Sequence, residues 1–143
     1  MKPKKGPRTL IPAPAKSPKQ EFNEDWRNMR PAWRVSLLET VDPFGWHVVE
    51  EVEAHRVRMR LANFESMQWK EIVGKECHFI AVSKICPEAQ QRLKDLRQDD
   101  IDAVMSLRVT GAERVWGIME HNIMKVLWWD PQHRVYPVDI ADN

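Results

Sequence analysis

The chain has 143 residues, 43% of them hydrophobic and 30% charged, with a formal net charge of +1. That size and balance fit one domain with its own packed core. They exclude a helical membrane span, because no stretch approaches the roughly 18 uninterrupted apolar residues that a span needs.

The small net charge hides an asymmetry. Residues 1–20 hold six basic side chains (Lys2, Lys4, Lys5, Arg8, Lys16 and Lys19), five prolines and no acid, which leaves 16 basic and 21 acidic side chains in residues 21–143, a net of −5. A segment so polar and proline-rich cannot bury a core, so residues 1–24 are expected to be a disordered basic tail before a single α+β domain over 25–143. Such an arm suits electrostatic binding of nucleic acid, and equally serves as a solubilising leader. No apolar run follows these basic residues, so a secretory signal is not expected. Cys77 and Cys86 have no partner pair at zinc-finger spacing, which points to free thiols and a cytoplasmic location.

In chain order, Trp33–Leu38 is a short run of aromatic and branched residues expected to be a strand. Asp42-Pro43-Phe44-Gly45 marks a turn. Residues 48–64 lack Gly and Pro, and the apolar positions Val48, Val52, His55, Met59 and Ala62 recur at helical spacing, predicting a helix. A second short helix is expected over Met67–Val73, with Ser66 as N-cap and Gly74 as stop. His78–Val82 reads as an extended connection. Pro87 suits a first helical position, and Pro87–Leu96 turns Ala89, Leu93 and Leu96 inward. Asp99-Asp100 predicts a further short helix over Ile101–Met105.

The period then changes. Strands are expected at Leu107–Val109, Arg114–Met119, Ile123–Trp129 and His133–Val138, joined by turns of two or three residues. The result is an antiparallel meander with helices covering one face, packed together with the N-terminal strand. The adjacent Trp128 and Trp129 must point to opposite faces of such a sheet.

Arg108, Arg114, Lys125, Arg134, His133 and Tyr136 fall on neighbouring strands of this meander. Cations can offset the charge of a phosphodiester transition state, and His or Tyr can transfer a proton. The bland reading makes Tyr136 a rim aromatic and the cations a solvated face. Asp130 and His133 flank a turn and can form an Asp–His couple, although Asp130 is expected to shape the Asp-Pro turn instead. Cys86, just before a helix, is either a thiol of lowered pKa or a small buried residue. Seven tryptophans stand against one tyrosine; exposed ones would stack on bases, but most are expected in the core. With five scattered glycines and no histidine pair at ligand spacing, no cofactor or metal is expected.

The run Leu107-Arg108-Val109, Arg114-Val115-Trp116-Gly117-Ile118, Val126-Leu127-Trp128-Trp129 and His133-Arg134-Val135-Tyr136 resembles the closing strands of the RelE/ParE-like toxin superfamily. The order of elements, one strand, a helical hairpin and then strands, is also similar. The resemblance implies a toxin-type protein with RNA or the ribosome as target and an antitoxin partner. In its ribosome-dependent form it implies an mRNA endoribonuclease. Arg114, His133 and Tyr136 would then be catalytic, and Arg108, Lys125 and Arg134 would contact phosphate. Gyrase-directed members share the fold without that chemistry, so the fold alone does not fix the activity. The ending Leu127-Trp128-Trp129-Asp130-Pro131 with His133 and Val135-Tyr136-Pro137 is also similar to bacterial and phage-associated proteins, which supplies no activity. Two alternatives stay open. One is a non-catalytic module that binds nucleic acid or protein through the basic arm and exposed aromatics. The other is a toxin fold with a purely structural role. The acidic balance of residues 21–143 weighs against a ribosome-bound nuclease, which needs a positive face.

Overall fold

The structure, a computed structural model, describes residues 25–137. The expected basic tail over 1–24 lies outside the described residues, as do residues 138–143. The fold is α+β. Strand β1 (Ala32–Arg34) is followed by helices α1 (Glu51–Glu65) and α2 (Trp69–Ile72), strand β2 (His78–Ala81) and helix α3 (Pro87–Asp95). The chain closes with β3 (Ala103–Thr110), β4 (Glu113–Glu120) and β5 (Ile123–Asp130). The five strands form one sheet in the order β1-β5-β4-β3-β2. The β2–β5 pairings are all antiparallel, while β1 runs parallel to β5 at the edge.

The expected meander is present in β3, β4 and β5, with longer strands than the sequence suggested. Two other segments join it. His78–Ala81 is a strand rather than a connection, paired antiparallel with β3. The first strand stops at Arg34; Leu38 then donates to the Val35 carbonyl in a turn. No helix forms at Ile101–Met105. β3 claims Ala103 onward, because Val104 and Met105 fill both sheet faces. The expected strand at His133 is also absent over 133–137. The amides of Arg134 and Val135 donate to the Asp130 carboxylate, at 2.8 and 2.9 Å, so they are unavailable to a ladder. His133 itself adopts φ 59°, which no strand residue does.

Helices lie on both faces of the sheet, not one. Ile80, Val104, Trp116, Ile118, Leu127 and Trp128 pack with Ala89 and Leu93 of α3, and with Phe44, Ile85 and Val135. Met105, Leu107, Val115, Met124, Val126 and Trp129 pack with Val57 and Phe64 of α1, and with Trp69 and Ile72 of α2. Trp128 and Trp129 therefore do face opposite ways, and both are buried. A bulge between Trp116 and Gly117 breaks the alternation of β5, so Leu127 and Trp128 fall in the same core cluster. Trp69, Trp116, Trp128 and Trp129 are fully buried. At roughly 200 Å² each, burial of one such ring stabilises the fold by about 5 kcal/mol on transfer grounds.

Helix α1 buries the side opposite the apolar row that recurs in its sequence. Its buried residues are Val57 and Phe64, whereas Val52 and Met59 are 69% and 51% exposed. The inward face carries arginines as well as apolar residues. Arg56 reaches out to Glu113, and Arg60 bonds the Arg108 carbonyl at 3.0 Å, so their stems line the core while their heads find partners. Capping also differs from expectation: Gln68, not Ser66, caps α2, in a reciprocal box with Glu71.

Candidate functional site

Five of the six predicted site residues gather at one end of the sheet. Arg108, Arg114 and Asp130 stand opposite one another on β3, β4 and β5, and the arch 131–137 follows directly. Lys125 does not join them. It pairs with Ile118, four residues along β4 from Arg114, a separation of roughly 13 Å.

Asp130 organizes this end. Its buried carboxylate accepts the Trp116 indole N–H at 3.1 Å together with the two arch amides. The arch is further tied to α3, where the Cys86 N–H donates to the Val135 carbonyl at 2.8 Å. The turn-shaping role expected of Asp130 is what its geometry performs.

The three candidate catalytic side chains are placed as follows. Arg114 is 2% exposed, and its guanidinium donates to the carbonyls of Gly111 and Glu113 at 2.7 and 3.1 Å. His133 is 1% exposed, inside the arch. Tyr136 is half-buried against the α3-side core. Of the candidate phosphate contacts, Arg108 faces Glu76 at 3.6 Å and Lys125 faces Glu120 at 3.7 Å. Arg134 is exposed, with its guanidinium 5.3 Å from the centre of the Phe44 ring and 3.4 Å from the Pro43 carbonyl. An open cleft of about 400 Å³ lies beside it, lined by Pro43, Phe44, Cys86, Glu88 and the arch residues Gln132, His133, Arg134 and Pro137.

Two consequences follow for chemistry at this end of the sheet. Arg114 is closed off from a substrate phosphate by its own burial, His133 meets the cleft with only 1% of its surface, and of the two other cations at this end Arg108 already has a carboxylate partner. Burial pushes the Cys86 thiol above its usual range, the opposite of an activated nucleophile. Among the described residues no three His, Cys, Asp or Glu side chains are grouped to hold a metal ion, and no helix is long and apolar enough to cross a membrane. All seven tryptophans are buried or half-buried, so none is an open stacking platform.

Sequence reasoning missed Glu39. Its buried carboxylate takes both the Nε and an Nη of Arg92, and accepts the Trp128 indole N–H at 3.0 Å. Its partners are 53 and 89 residues away, so no local pattern announces it. No family model, curated protein or solved structure matches the chain.

Proposed function

We propose that this protein is a non-catalytic nucleic-acid-binding module, built on a toxin-type α+β frame, in which the basic residues 1–20 hold the nucleic acid. The carrying observation is the burial of Arg114 and His133 at 2% and 1%. Residues sealed in this way, beside a buried Asp130 that ties the arch together, serve the fold rather than a substrate. The pairing of Arg108 and Lys125 with glutamates supports the same reading, since it removes the positive face a sheet-bound RNA would need. The six cations before the domain remain the strongest concentration of positive charge in the sequence.

The test is a binding titration of a single-stranded RNA, followed by fluorescence anisotropy at several salt concentrations, with the full chain and with a chain lacking residues 1–20. Six phosphate contacts give a slope of about −4 in log K against log salt for a single strand. The full chain is expected to approach that slope and the shortened chain to lose most of it. Equal affinity and slope in both would remove the arm from the account.

A second reading is a ribosome-dependent endoribonuclease, and one observation favours it. Arg134 is exposed beside the open cleft, with the half-exposed Tyr136 on the same arch. In that reading these two residues act on RNA, and Arg114 and His133 only support them.

A further inference from the structure

The outward side of α1 is the largest feature of the fold that the reading above leaves unused. At about 100° per residue, His55 sits at its centre, with Val52, Met59 and Ala62 beside it. All four are exposed, and Val48 in the turn just before the helix is exposed as well. A single exposed apolar residue is ordinary; a row of them at helical spacing on one face marks an interaction surface.

The charges along this face say what covers it. Glu51 and Arg58 lie on the same flank of the row, seven residues and so two turns apart, and both are exposed. Arg58 donates to the neighbouring Met59 sulfur at 3.4 Å, and neither residue enters an ion pair among the described residues. Reversing the helix direction about a point between Ala54 and His55 exchanges the levels of Glu51 and Arg58. A two-fold axis there brings Glu51 of one copy level with Arg58 of the other, on the same flank, twice over. The same operation packs Val52 of each copy between His55 and Met59 of the other, and sets His55 against His55 at the axis. A parallel two-fold arrangement would instead put the Glu51–Arg58 flanks of the two copies on opposite sides, where neither charge meets a partner.

We propose that α1 is the self-complementary interface of an antiparallel homodimer, with the partner a second copy of this chain. Two-fold pairing of one patch on itself is the commonest way that soluble chains associate. The face is one helix about 22 Å long, which puts the interface at the small end of specific contacts. The dimer is therefore weak, with a dissociation constant on the order of 10 µM.

Sedimentation velocity of the full chain from about 1 to 300 µM tests this. The expected result is a shift from the 16.9 kDa monomer to twice that mass across the range. Met59→Lys, at an exposed position that leaves folding intact by circular dichroism, is expected to weaken association at least tenfold. Glu51→Arg and Arg58→Glu each set like charges together and are expected to weaken it several-fold. Combining Glu51→Arg with Arg58→Glu restores the pairs and is expected to bring association back near the wild type, which a merely structural role would not do. A chain that stays monomeric at 300 µM overturns the proposal. So does a dimer indifferent to Met59→Lys, and so does one that loses affinity with both single charge reversals without recovery in the double. A dimer abolished by removing residues 1–24 but untouched by the α1 variants would show that the leading segment makes the contact instead.

Discussion

At the scale of single residues, Asp130 carries the end of the sheet where sequence reasoning looked for catalysis. It is buried and accepts three hydrogen bonds, two of them from buried groups. Asp130→Ala strands those donors and is expected to cost about 3 kcal/mol, read as a lower urea midpoint at unchanged m-value. Tyr136→Phe removes a hydroxyl from a half-exposed ring and is expected to change stability by under about 0.5 kcal/mol. A large loss there would mean that the hydroxyl is part of the buried network. The thiols give a pH prediction. Burial raises the pKa of Cys77 and of Cys86 above the usual value of about 8.5. Groups that resist ionisation in the native state contribute stability fully below the unfolded pKa and lose it as pH rises through the native one. Thermal stability is therefore expected to hold to about pH 8.5 and fall above it, and a Cys77→Ala, Cys86→Ala chain is expected to fall less steeply. Identical profiles would contradict this assignment.

At the scale of elements, two backbone sites separate what the fold requires from what it tolerates. Gly117 sits at the β4–β5 bulge, where an added Cβ would meet the Lys125 carbonyl oxygen at 2.5 Å and the Met124 side chain at 2.6 Å. Gly117→Ala is expected to cost about 2 kcal/mol, because backbone cannot step aside cheaply. Gly74→Ala, with nothing within 4 Å, is the control and is expected to be near neutral. The end of α3 runs the other way. Arg97 has φ 60°, its N–H donates to the Lys94 carbonyl, and the Gln98 N–H donates to the Leu93 carbonyl at 2.8 Å. This is a Schellman ending with arginine where glycine is easiest. Arg97→Gly is expected to raise stability by about 0.5–1 kcal/mol in the same urea assay.

These elements also show what the sequence could reveal. The closing strands were legible because β-branched and aromatic residues alternate between short polar turns. Helix α3 was legible from Pro87, Ala89 and Leu93. The face of α1 was not, because Val52, His55, Met59 and Ala62 repeat as regularly as the buried Val57 and Phe64 and the half-buried Leu61. The inward face is also disguised by Arg56 and Arg60, whose charges reach partners on other elements. The arch was misread for a related reason. His133-Arg134-Val135-Tyr136 has the composition of a strand, but the Asp130 carboxylate takes the amides of Arg134 and Val135, four and five residues further on. The edge position of β1 beside β5 depends on contacts between residues some ninety positions apart, and no local pattern carries that.

At the scale of the whole molecule, the sheet is covered on both sides, and at the end where the candidate residues gather Arg114 and His133 are buried. What remains available among the described residues is at the periphery: the outer face of α1, and Arg134 beside its cleft. That division is why a binding role is proposed over a catalytic one, since binding can be carried by surface while catalysis needs convergent groups that reach the substrate. The two proposals rest on different residues, nucleic-acid contact on 1–20 and self-association on α1, so each set of variants tests one of them. The most direct test of the central claim is the rate of total translation in bacteria after induction of the wild-type chain at verified expression. Translation that continues at the uninduced rate is the predicted result. Rapid arrest, relieved by Tyr136→Phe or Arg134→Ala, would contradict it and establish the arch as a catalytic site.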